Sequence, residues 1–148
     1  MGLFGSSKKR SQDAAAVITG AGSGIGAATA RRCAELGCAV AVWDIDGDAA
    51  ARTTGELVDT GANAVARTVD VTDEAGVVAA FAATTEALGA VRHLVNNAGP
   101  RAADPRPFAE GVAMAAGSMQ LVSETFLAQD HAPGASIVNV SSVVGAVV

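Results

Sequence analysis

At 148 residues the chain is long enough for one compact domain and too short for two. Half of it is hydrophobic (50%) and only 17% is charged, which excludes a disordered chain, while no unbroken apolar run is long enough to span a bilayer. The net charge of -5, with basic residues clustered only at Lys8-Lys9-Arg10, argues against nucleic acid as a partner, since phosphate backbones call for a basic face.

Residues 1–13 are rich in glycine, serine and charge and read as a flexible leader. Met1-Gly2-Leu3-Phe4-Gly5-Ser6 formally matches a myristoylation signal, but nothing else suggests membrane attachment, and a disordered start is the simpler reading. The polar, basic opening is not a secretory signal. Cys33 and Cys38 have no metal or redox spacing and read as small buried thiols, which fits a reducing, cytoplasmic location.

A short apolar strand over 14–18 leads into Thr19-Gly20-Ala21-Gly22-Ser23-Gly24-Ile25-Gly26, and a helix follows over 27–36. Strand, glycine turn and helix form the layout that holds a dinucleotide pyrophosphate. Glycines let the backbone approach the phosphates, and the helix start offers free N–H groups and a positive dipole end. Gly37 ends the helix, and a second buried strand over 39–43 runs into Asp44. A carboxylate at that strand end is placed to accept hydrogen bonds from ribose hydroxyls and to repel a 2′-phosphate, favouring NAD over NADP.

The spacing predicts a helix over 46–60 stopped by Gly61, then a strand over 64–69. Asp70-Val71-Thr72-Asp73 reads as an Asx turn or a cap for the next helix, 74–88, whose apolar face is expected to be Val77, Val78, Phe81 and Leu88. Gly89 ends that helix and a fourth strand covers 91–95. His93 falls near its start, away from the carboxyl ends where ligands bind, and reads as structural. Asn96-Asn97-Ala98-Gly99, a proline-rich loop over 100–107, a helix over 108–129 with a break near Gly117-Ser118, and a fifth strand entering Ser141-Ser142-Val143-Val144-Gly145 complete the chain.

These stretches, T-G-x-x-x-G-I-G, N-N-A-G and S-S-x-x-G, make residues 14–148 resemble the short-chain dehydrogenase/reductase family. The resemblance implies an α/β fold: a three-layer Rossmann-like sandwich, its parallel sheet in the order 3-2-1-4-5, C-terminally incomplete. It implies an oxidoreductase moving a hydride between nicotinamide and a secondary alcohol or ketone, and a possible homo-oligomer. Gly20, Ser23, Gly24, Ile25 and Gly26 would bind the pyrophosphate. Ser23 stands where NADP-using relatives often carry a basic residue. Asp70 and Val71 would meet the adenine, and Asn97, Ala98 and Gly99 would line the inner ribose. Ser142 would be the catalytic serine that bonds the substrate oxygen, with Asn139 structural.

The chain departs from the family pattern in two places. The family's Asn on the fourth helix, which holds a water of the proton relay, aligns with Met114, which cannot order water by strong hydrogen bonds. The family's Tyr-x-x-x-Lys pair would fall past Val148. The sequence contains no tyrosine, and its lysines are Lys8 and Lys9. His131, near Pro133, is a poor substitute for that proton donor. The expectation is therefore the N-terminal part of a longer dehydrogenase, inactive or weakly active as this chain, with a non-catalytic NAD-binding or interaction module as the alternative.

Overall fold

The computed structural model describes residues 14–100, 105–129 and 134–141. The leader, His131, Ser142 and the rest of the S-S-x-x-G stretch past Ser141 lie outside the described residues. Among the described residues five strands alternate with four helices: β1 (Ala15–Thr19), α1 (Gly24–Glu35), β2 (Ala39–Asp44), α2 (Gly47–Asp59), β3 (Ala64–Thr68), α3 (Glu74–Leu88), β4 (Val91–Asn96), α4 (Phe108–Leu127) and β5 (Ser136–Asn139). The sheet has the order β3-β2-β1-β4-β5, and every pairing is parallel.

Strands β1 and β2 are apolar at every position but their last because both faces of the sheet are covered there, while β4 carries Arg92 and His93 near its start. Ala15, Val17, Ala41 and Trp43 face one core with Phe81 of α3 and Phe126 of α4. Ala16, Ile18, Val40 and Val42 face a second core with Ala30 of α1 and Leu57 of α2. Alternation along each strand thus divides one hydrophobic run between two layers.

Two sequence expectations are corrected. On α3 the buried face is Val77, Ala80, Phe81 and Thr84, while Val78 is 52% exposed. Val78 is one residue on from Val77, about 100° around the helix, and so turns off the core stripe. Helix α4 runs unbroken through Gly117 to Leu127. A single glycine costs a helix about 1 kcal/mol, and neighbouring alanine, methionine and leucine offset it.

Candidate cofactor-binding site

The strand order reverses between β1 and β4, and in open parallel sheets ligands sit at such a switch point, outside the carboxyl ends of the strands. Thr19 closes β1 there and is 1% exposed. Its hydroxyl accepts the N–H groups of Asn97 and Ala98, both at 3.0 Å, and donates to the Val95 carbonyl at 3.4 Å. Two acceptances and one donation saturate a hydroxyl. Thr19 therefore joins the end of β1 to the turn after β4, a role that sequence reasoning missed.

Gly20 follows with φ +63°, and a Cβ there would lie 2.9 Å from the Ala98 backbone. A Cβ on Gly26 would strike the Gly20 carbonyl and come within 2.6 Å of Asn97 Nδ2. Both glycines are needed for close backbone approach, not only for flexibility. Asn97 donates its side-chain amide to the carbonyls of Thr19 at 3.1 Å and Gly20 at 3.2 Å. It braces the glycine turn from the β4 side, with Ala98 half-buried and Gly99 exposed at the rim.

The head of α1 is open. Ser23 occupies its N-cap without a side-chain cap bond, and the first turn holds no acidic residue. By contrast, α2 is capped by Asp46, which accepts the Ala49 N–H at 3.0 Å, and carries Asp48 in its first turn. No capping side chain or first-turn acid therefore offsets the positive partial charge at the α1 end. Ser23, Gly24 and Ile25 are exposed, Ile25 at 66%.

Asp44 ends β2 beside this turn. One carboxylate oxygen accepts the Gly22 N–H at 2.8 Å, and the other accepts the Asp46 N–H at 2.9 Å. Thr53 of α2, buried, donates to the Gly22 carbonyl at 3.3 Å. Asp44 is half-buried, with accepting capacity left on both oxygens. Asp70 is exposed and forms the expected Asx turn. It accepts the Thr72 hydroxyl at 2.6 Å and the Thr72 N–H at 2.9 Å, and these bonds hold its carboxyl below its ordinary pKa. Val71 lines a small crevice with Thr19, Ala98 and, from α4, Ser118 and Met119.

Neighbouring residues are structural. Trp43 is fully buried, edge-on to Phe81 with ring centres 4.7 Å apart, and donates its indole N–H to Thr84 at 3.2 Å. Asn96 donates to Ser123 on α4 and Asn139 on β5, each at 2.9 Å, so Asn139 fixes the sheet as expected. Met114 is half-buried, and Ser118 one turn on bonds back to Ala115 at 3.1 Å. A roomier groove between α1 and α2 is lined by Arg31, Glu35 and Glu56. It lies towards the carboxyl ends of those helices, where the dipole repels phosphate. Among the described residues there is no group of three or more metal-ligating side chains, and no helix is long and apolar enough to cross a membrane.

The model of the family described as short chain dehydrogenase matches residues 14–148. The 7alpha-hydroxysteroid dehydrogenase of Escherichia coli (strain K12) is 40% identical over 106 residues, covering 72% of this chain and 41% of that protein. The cis-4-hydroxycyclohexanecarboxylate dehydrogenase of Sinomonas cyclohexanicum is 39% identical over 140 residues, covering 89% of this chain and 56% of that protein. A crystal structure of a short chain dehydrogenase/reductase from Burkholderia phymatum in complex with NAD superimposes with a TM-score of 0.74 at 36% identity, covering 91% of this chain and 51% of that one. The chain thus spans about half the length of these relatives. Sheet order, glycine turn and sequence match agree, and the chain belongs to the short chain dehydrogenase family.

Proposed function

We propose that this chain is the NAD-binding part of an oxidoreductase acting on a secondary alcohol or ketone. The observation that carries the reading is Asp44, whose carboxylate is held 2.8 Å from the Gly22 N–H next to an uncapped helix head. The helix head suits a diphosphate, and the acid beside it suits a ribose diol and repels a 2′-phosphate. The relative crystallised with NAD supports the same class of cofactor.

In this reading Gly20, Ser23, Gly24, Ile25 and Gly26 hold the pyrophosphate through backbone N–H groups. Asp44 accepts from the adenosine ribose, and Asp70 and Val71 border the adenine. Asn97, Ala98 and Gly99 border the inner ribose, with Asn97 acting through the turn it braces. Ser142 would bond the substrate oxygen. Bound NAD supplies a hydride acceptor. These 148 residues contain no tyrosine, and lysine only at positions 8 and 9, so they supply binding groups without the family's proton-transfer pair. We therefore assign slow or no turnover to this chain alone, with a non-catalytic NAD-binding module as the second reading. A cytoplasmic location and a homo-oligomer belong to the same proposal.

The test is titration of the purified chain with NADH and NADPH, followed by energy transfer from Trp43, the single tryptophan. Saturable transfer with NADH and at least tenfold weaker binding of NADPH is expected. No transfer from a folded sample would sink the reading. Steady NADH production from simple secondary alcohols would refute the slow-turnover assignment.

A further inference from the structure

The end of α1 places the chain's two cysteines together. Gly37, with φ +88°, donates its N–H to Ala34 at 2.9 Å, and Cys38 donates its N–H to the Cys33 carbonyl at 3.1 Å. This nested pair of bonds is a Schellman cap, which frequently brings together the side chains at the two ends of the outer bond. Those residues are usually apolar; here both are thiols. The hydrogen bond and the covalent bonds on either side of it keep the two α-carbons within about 7 Å, and a bent geometry brings them closer. A disulfide calls for roughly 4.4–6.8 Å. Both side chains are half-buried against the same core layer as Ala34, Ala62 and Ala64. Burial raises both thiol pKa values, and Cys38 raises that of Cys33 further, as expected for facing sulfurs.

We propose that Cys33 and Cys38 form a dithiol oxidation site that closes to an intramolecular disulfide across the α1 cap. With a hydroperoxide as oxidant, one thiolate attacks the peroxide oxygen. The O–O bond breaks, leaving a sulfenic acid and a water or alcohol. The second thiolate then attacks the sulfenic sulfur, forming the S–S bond and releasing water. Two thiols lose two protons and two electrons, and the peroxide takes them up. Because the thiolate is the attacking species, closure speeds up as the pH rises, and burial moves that rise to higher pH than for a free thiol.

The experiment treats the purified full chain with hydrogen peroxide and follows mass and free thiols. The expected result is loss of two hydrogen masses and of both thiols together, in monomeric chain, reversed by a dithiol reductant. In Cys38→Ser and Cys33→Ser the remaining cysteine should stop at a sulfenic acid that dimedone traps. Independent oxidation of both cysteines to sulfinic acids, cross-linking between chains, or unreacted thiols would each overturn the proposal. The intact mass of the wild type separates these outcomes even if a variant fails to fold.

Discussion

Asp44 and Gly22 are bound to each other across 22 residues of sequence, side-chain carboxylate to backbone N–H at 2.8 Å. The bond orients the acid and anchors the glycine turn, so under the proposed function one residue would serve both cofactor choice and loop shape. Asp44→Ala removes a charged acceptor, and bonds to charged groups are worth about 1.5–3 kcal/mol. NADH affinity should fall about tenfold or more, with the advantage over NADPH erased. Parallel titrations with both nucleotides check this, and an unchanged NADH/NADPH ratio would refute it.

Glycines 26 and 55 should respond oppositely to alanine. A Cβ at Gly26 meets the Gly20 carbonyl and the Asn97 amide, neither of which can retreat without opening the turn. Overpacking of this kind costs about 1–3 kcal/mol, and NADH binding should be lost with it. Gly55 lies within α2 with nothing within 4 Å of an added Cβ. Gly55→Ala should stabilise the chain by about 0.5–1 kcal/mol through helix propensity and leave NADH affinity unchanged. Urea denaturation of both variants, paired with NADH titration, gives the comparison.

These contrasts mark what could be read from the sequence. Strands β1 and β2 were legible because a doubly covered parallel strand is apolar at successive positions, and β4 because Leu94-Val95 runs into its asparagine exit; the glycine, aspartate and asparagine exits of all three carry motif spacing. The positions of Gly20, Gly26 and Asp44 followed from that spacing. The support behind them did not. Thr19 receives N–H groups from residues 78 and 79 positions away, and Asn97 reaches back 77 positions to Gly20. No local pattern signals such bonds. Helix α3 was misread at Val78 because alanine and valine occur on every side of it, so burial was decided by which face met Trp43.

Thr19→Val should separate the brace from the cofactor contacts. Valine keeps the shape but strands the N–H groups of Asn97 and Ala98, both now bonded to the threonine hydroxyl. Each unpaired donor costs about 1–3 kcal/mol, so a loss of about 2–4 kcal/mol is expected, with Thr19→Ser restoring most of it. Urea denaturation measures the loss. If valine is as stable as threonine, the hydroxyl is not the junction described.

The opposite end of the sheet should make stability depend on pH. His93 on β4 shares a 2.9 Å hydrogen bond with the Ser136 hydroxyl at the start of β5. Burial first, and the Arg92 cation second, push its imidazole below the ordinary pKa of 6.5. Protonation is therefore disfavoured in the folded chain relative to the unfolded one. As pH falls through 6.5 towards the depressed folded value, the unfolded state takes up a proton that the folded state does not. Stability from this group is complete above 6.5, declines through that window and levels off below the folded pKa. The Tm of the wild type should drop between about pH 7.5 and about pH 5.5, where carboxylates stay ionised. The sequence holds a second histidine, His131, so the informative quantity is the difference from His93→Asn. That variant should lose the His93 share of the drop and start less stable at the higher pH. An identical Tm slope in the two proteins would show that the imidazole enters the folded state as readily charged as neutral.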